Sequence, residues 1–251
     1  MLKKHFLGAI VIASLSSFAA AQSSSNFYLG VSGGASKANK APDFLGPAGV
    51  TTEEINAVVD EINANPDINA SASVSNDKSG SAYKVYLGYN LDKMFAFEIG
   101  YTNLGKFNQR GIVSVDFNEA PDTAILDASI GLEAKNTGYF FDVVGSSAVT
   151  DKLSVLGRVG AAYIKTESTL SGAYSYEYNI GGNTDSGSDS GSISASKSKW
   201  VPKIGVGFDY QLTKTVSARV DYERYFKVGK ASDVAFESDI DLLTAGLKFS
   251  F

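Results

Sequence analysis

Ten charged residues fall at alternate positions within short apolar runs: Lys84, Glu98, Asp142, Arg158, Lys203, Asp209, Arg219, Asp221, Glu223 and Lys248. Five are basic and five acidic, and most are flanked on both sides by apolar or aromatic residues. In an extended chain successive side chains point to opposite faces, so these ten would share one enclosed face. Two chemistries suit a balanced set of enclosed ions. They can form a static lumen charge network, because an unpaired ion away from bulk water costs several kcal/mol. Alternatively they can line an ion pathway gated by exchange of partners. The static plug is the preferred reading, though both need the same residues.

Other chemistry is thin. The only histidine is His5 and cysteine is absent. If residues 1–21 are removed, as argued below, neither residue type remains. Ser-His-Asp catalysis, thiolate nucleophiles, histidine-ligated zinc and histidine general bases then fall away together, which argues against an enzyme. Asp185 and Asp189 invite a calcium reading, but the run Gly181 to Ser192 lacks the D-x-[DN]-x-[DN]-G pattern and reads as a Gly/Ser linker. Two S-x-x-K matches, Ser75 to Lys78 and Ser194 to Lys197, have no supporting motif. No catalytic, cofactor-binding or metal site is expected, and no cofactor.

The elements that must hold the ten charges are strands. The C-terminal stretch D-I-D-L-L-T-A-G-L-K-F-S-F, residues 239–251, alternates apolar Leu243, Ala245, Leu247, Phe249 and Phe251 with small or polar residues. One apolar and one polar face suits a sheet between lipid and a watery lumen. Leu247, Phe249 and the terminal Phe251 resemble the assembly signal of outer-membrane barrels. Seven more such strands follow from the same period. They run through Phe27–Gly34, Tyr83–Asn90, Phe95–Thr102, Tyr139–Val143, Val155–Tyr163, Lys203–Tyr210 and Ser217–Glu223. Tyr101, Tyr163, Trp200 and Tyr222 would form one aromatic girdle; Phe27, Tyr89, Phe95, Tyr210, Phe249 and Phe251 would form the other.

The other end agrees. Lys3, Lys4 and His5 precede an apolar run, and Ala19-Ala20-Ala21 supplies a cleavage site, so residues 1–21 read as a secretory signal peptide and 22–251 as the barrel. Cleavage leaves 20 basic against 27 acidic side chains. That acidic balance speaks against nucleic acid. No later segment is apolar enough to span as a helix, so only a closed barrel would place the chain in a membrane.

Connections alternate between tight turns and long loops, the latter at about 35–82, 103–136, 164–199 and 226–238. Short periplasmic turns and long extracellular loops are the outer-membrane barrel layout. In the first loop Thr51 and Glu54 form a candidate capping box for a helix with Ile55, Val58, Val59 and Ile62 on one face. That helix is expected on the barrel mouth or the neighbouring loops. The second loop contains alternating runs that would extend the hairpin beyond the membrane, or else make a ten-stranded barrel. Arg224, Lys227 and Lys230 cluster beyond the seventh strand, where they could contact lipopolysaccharide phosphates.

The stretch Tyr83 to Gly105, Y-K-V-Y-L-G-Y-N-L-D-K-M-F-A-F-E-I-G-Y-T-N-L-G, resembles the second and third strands of the OmpA-like transmembrane domain. Thr150 to Ala161 resembles its fifth strand and Val216 to Glu223 its seventh, motifs shared with small porin-family barrels. The resemblance covers the strands and short turns, about half the mature chain, and not the loops. It implies an all-β, eight-stranded antiparallel up-and-down barrel in a Gram-negative outer membrane. It also implies roles from envelope integrity and adhesion to small-pore activity. The peptidoglycan-binding domain of OmpA proper is not expected here, since the sequence stops at the eighth strand. Expected partners are outer-membrane lipid and lipopolysaccharide, the barrel-assembly machinery during export, and a surface ligand of the loops. The leading reading is a non-enzymatic barrel for envelope integrity and surface contact, with a narrow diffusion pore as the alternative.

Overall fold

A computed structural model describes residues 26–43, 51–234 and 236–251. The expected signal peptide, residues 1–21, lies outside the described residues. The described residues form nine strands: β1 Phe27–Ala38, β2 Ile68–Asp77, β3 Ser79–Asn90, β4 Phe95–Glu119, β5 Asp122–Ala148, β6 Leu153–Ile180, β7 Asn183–Gln211, β8 Val216–Gly229 and β9 Glu237–Ser250. Two helices join them, α1 Thr52–Ile62 and α2 Ala231–Val234. No helix among the described residues is long and apolar enough to cross a membrane.

All strands but β2 close into an antiparallel ring of eight, because β1 pairs with both β3 and β9 and β4 pairs with both β3 and β5. Around the ring each strand is paired on both sides, which is what the hydrocarbon layer demands of backbone groups. The ring has eight strands rather than ten.

Three tight turns, the start of β1 and the C-terminal residue share one rim. Each turn opens with a side chain that accepts backbone N–H bonds two and three residues on. Asp92 accepts from Met94 and Phe95, Thr150 from Lys152 and Leu153, and Thr213 from Thr215 and Val216. Short polar side chains at turn entries do this locally, so the three reversals are set by sequence.

At the opposite rim the second connection extends its hairpin as its alternating runs led one to expect, while the third departs from the expected loop. Ladders β4–β5 and β6–β7 continue to their tips, Glu119↔Asp122 and Ile180↔Asn183. With β2 paired to β4, strands β2, β4, β5, β6 and β7 make a sheet projecting beyond the barrel. The regions 103–136 and 164–199 are therefore hairpins for most of their length. The Gly/Ser linker expected at 181–192 is a correction: from Asn183 onward it is β7, paired residue by residue with β6. Tyr174, Tyr176 and Tyr178 on β6 have strong strand preference and impose it on their partner.

The projecting sheet has two different faces. Following the register, the face continuous with the lumen carries Val113, Val115, Phe117, Leu126, Ile130, Leu132 and the three tyrosines. The other face carries Ser186, Ser188, Ser190, Ser192, Ser194 and Ser196 along β7, with Ile112 and Ile125 as its large apolar residues. A bulge lets β4 serve both regions. The register shifts between Asn103 and Gly105, and Gly105 takes φ 89, a conformation that suits glycine. Leu104 and Phe107 on either side of Gly105 are both buried.

Helix α1 carries the expected capping box, with Glu54 N–H donating to Thr51 Oγ1 at 3.2 Å and Thr51 N–H donating to Glu54 Oε2 at 2.8 Å. It rests against β2 on the projecting sheet. Asn63, at its C-terminal cap, donates to the Ala70 carbonyl and accepts the Ala70 N–H, so its amide stands in for a neighbouring strand.

Candidate functional site

The period-two pattern sends alternate side chains of every ring strand inward, and the lumen is the one enclosed polar space in the described chain. All ten charges singled out above point into it, from β3 to β9. They form one connected series of ion pairs. From the turn rim upward, Lys248 contacts Asp209 at 2.6 Å, and Asp209 contacts Arg219 at 3.2 Å. Arg219 reaches Glu98, and Glu98 receives Arg158 at 3.3 Å. Arg158 also reaches Asp221 at 2.6 Å and Glu223 at 2.9 Å. Lys84 joins Asp221 and Glu223, while Lys203 bridges Glu223 at 2.8 Å and Asp142 at 2.7 Å. Signs alternate along the series, so no charge faces a like neighbour without an opposite one beside it.

Tyrosines complete the coordination. Tyr28 donates to Glu98 at 2.8 Å and Tyr225 to Glu223 at 3.0 Å. Lys203 lies 4.2 Å from the Phe140 ring centroid and 4.9 Å from that of Tyr225, so aromatic faces cover what carboxylates leave. Glu223 thus collects Lys84, Arg158, Lys203 and Tyr225. Even so, Asp142 Oδ1 and Arg158 Nε have no hydrogen-bond partner among the described residues.

Above the ions the lumen changes character. Leu104, Phe107, Ile164, Val201, Val228, Phe236, Ile240 and Leu242 are all buried and form an apolar layer at the outer mouth. Phe107 and Phe236 stack with centroids 5.8 Å apart and planes 16° apart. Sequence reasoning missed this layer. Phe107 lies past the bulge, where the period slips by one, and Phe236 sits in a connection with no period at all.

Outside, the girdles form cross-strand rows. Tyr101, Tyr139, Tyr163 and Trp200 stand directly opposite one another on β4 to β7. Phe27 and Tyr89 pair near the turn rim, with rings 4.8 Å apart. At the C-terminus Leu247 is paired with Val31 and Ala218, Phe249 with Leu29 and Val216, and the Phe251 N–H donates to the Phe27 carbonyl. The closing strand is thereby held from both sides to its last residue.

Each residue of the basic cluster beyond the seventh barrel strand has an acidic neighbour. Arg224 makes a two-pronged pair with Asp241 at 2.6 and 2.8 Å. Lys230 approaches Asp233 at 3.7 Å. Lys227 has φ 50, and its backbone N–H donates to Asp239. Carboxylates lie beside the side chains of Arg224 and Lys230, and beside the backbone of Lys227.

Residues 22–251 match the OmpA-like transmembrane domain family. The chain belongs to that family. Its members named outer membrane protein A include one from Serratia marcescens, 26% identical over 166 residues, covering 66% of this chain and 38% of that protein. The chain thus spans well under half the length of this relative. A protein of Coxiella burnetii is 24% identical over 172 residues, covering 67% of each. Among solved structures, Neisserial surface protein A aligns over 90% of this chain and 98% of its own, with 12% identity and a TM-score of 0.41. An OmpA-like transmembrane domain is a β-barrel of the bacterial outer membrane, and that is where this chain resides.

Proposed function

We propose that this OmpA-like barrel is a non-enzymatic protein with a closed lumen. In this reading it supports envelope integrity and makes surface contacts through its projecting sheet. The observation that carries the reading is the lumen itself, where ten alternating charges are capped by the apolar layer around Phe107 and Phe236. An ion entering would have to displace buried partners and then cross an apolar constriction, each of which is costly. The projecting sheet supports the contact reading, since it holds exposed Val113, Leu126, Ile130 and Tyr174 away from the membrane. Contiguous exposed apolar surface of this kind marks interaction sites.

The test is single-channel recording of refolded protein in a planar bilayer, beside an Arg219→Ala variant. A silent wild type, with insertion verified separately, supports the closed lumen. Discrete openings that change with the variant would replace it with the narrow diffusion pore. One observation favours that second reading: Asp142 Oδ1 and Arg158 Nε are buried without hydrogen-bond partners among the described residues, and such atoms call for water in the lumen.

A further inference from the structure

Above the aromatic row, the lipid-facing side of the wall contains a slit. The β3–β4 ladder ends at Tyr83↔Asn103, and the β2–β4 ladder begins at Asp77↔Asn108. Between them residues 78–82 and 104–107 face one another without a cross-strand ladder. The slit opens as a cleft of about 450 Å³ lined by Ser79, Ser81, Tyr83, Asn103, Lys106 and Lys135, among others. Amides, hydroxyls and ammonium groups dominate. The carboxylate at its rim, Asp77, accepts the Ser79 N–H at 3.0 Å.

Lys106 and Lys135 stand directly opposite each other on β4 and β5. Like charges in that relation repel. Lys106 is relieved on one side by Glu133 at 2.8 Å. Lys135 has no ion pair among the described residues, and Glu167, opposite it on β6, is engaged by Lys165 at 3.2 Å. Lys135 lies four residues beyond Tyr139 on β5, roughly 13 Å of strand at about 3.3 Å per residue. An aromatic girdle marks the edge of the hydrocarbon, so the cleft opens at the depth of the headgroups.

We propose that this cleft binds a phosphate group of an outer-leaflet glycolipid, the phosphorylated glucosamine headgroup of lipid A. Acyl chains would lie on the wall below, against Val85, Ile99, Tyr101 and Tyr139, while the phosphate bridges Lys106 and Lys135 and removes their repulsion. Both are surface residues on the lipid side, apart from the lumen series, so the inference is independent of whether the lumen conducts.

The test uses the mature barrel refolded in micelles, titrated with bis-phosphorylated lipid A and, separately, with lipid A stripped of its phosphates. The comparison variant is Lys106→Gln/Lys135→Gln, with folding checked by heat-modifiable gel mobility; Lys135→Arg retains the charge and controls for packing. The expected result is an affinity on the order of tenfold weaker in the double variant. Stripping the phosphates should weaken the wild type by a similar factor, with little further effect on the double variant, and Lys135→Arg should bind as the wild type does. Equal binding by the double variant and the wild type would overturn the proposal. So would a phosphate dependence that survives in the double variant. Inorganic phosphate binding as tightly as bis-phosphorylated lipid A, and weakened equally by the double variant, would assign the cleft to free anions and overturn the lipid headgroup as its ligand.

Discussion

Tyr86 and Gly30 face each other in register on β3 and β1, and the tyrosine ring occupies the space that a Cβ on Gly30 would need. The relation is repeated with the roles exchanged two residues away, where the ring of Tyr28 covers Gly88. The two rings meet edge to face at 6.4 Å, and Arg219 lies 5.6 Å from the centroid of Tyr28 and 5.4 Å from that of Tyr86. Glycine here is a matter of space. It lets two large rings lie against the wall and leaves the axis of the lumen to the ions.

Gly30→Ala is therefore expected to destabilise the barrel by about 1–3 kcal/mol through overpacking. Urea unfolding in micelles would measure it. Adding Tyr86→Ala should relieve the clash, so the double-mutant cycle should show strong coupling between the two positions. An additive double variant would mean that the ring is free to move aside.

Lys203→Met should be among the most damaging single changes. It takes from Asp142 its close cation at 2.7 Å, leaving Arg158 at 3.9 Å, and removes one of the three cations around Glu223, in a space closed to solvent. Breaking a buried pair from one side costs about 3–5 kcal/mol. Lys203→Met with Asp142→Leu should recover part of the loss, measured by the same unfolding transition.

Lys165→Ala and Arg224→Ala offer the contrast. Their partners Glu167 and Asp241 lie on the exposed side of the wall. Exposed pairs contribute about 0–1 kcal/mol, so both variants should unfold within that margin of wild type.

The α1 cap carries a pH signature. Hydrogen bonds from the Thr51 backbone and hydroxyl hold the Glu54 carboxyl below its ordinary range. A depressed folded value means that this contribution is present above the unfolded value near 4.3 and fades as pH falls through the lower, folded value. Amide hydrogen exchange in α1 should accelerate across that acid window beyond the intrinsic rate, and Glu54→Gln should remove the extra dependence. Exchange in the ring strands should not follow it.

Replacing residues 169–194 by a two-residue Asn-Gly turn should leave the barrel folded with an unchanged unfolding midpoint. The cut joins Ser168 to Ala195, which are already opposite one another, and keeps the β7–β8 ladder that begins at Lys203. A barrel that fails to fold would make the projecting hairpin part of the folding unit.

Much of this architecture can be read from alternation. The ten lumen charges were identifiable because each lies in a strand whose other face is apolar, and one enclosed face follows geometrically. The Thr51–Glu54 cap was legible because it is made within four residues. What could not be read depends on partners distant in sequence. Thr184 to Ser198 has linker composition, and only the β6 ladder holds it extended. The Phe107–Phe236 stack joins residues more than a hundred positions apart, one of them past an irregularity. Arg224 reads as a free cation until β9 brings Asp241 beside it.

The bulge at Leu104 amounts to a phase correction. Below it the lipid-facing residues of β4 carry odd numbers, Phe97, Ile99 and Tyr101; above it the residues on that side carry even numbers, Lys106, Asn108 and Arg110. The two halves of β4 are written in opposite frames, and one inserted residue reconciles them with β5, which keeps a single frame throughout. Pairing β4 straight through, with Leu104 taken into the ladder, would therefore act as an inversion. It would turn Phe107, Val113, Val115 and Phe117 toward water and bring Lys106 and Arg110 over the lumen, without changing one side chain of the sequence, whereas deleting Leu104 would leave both halves of β4 in one frame.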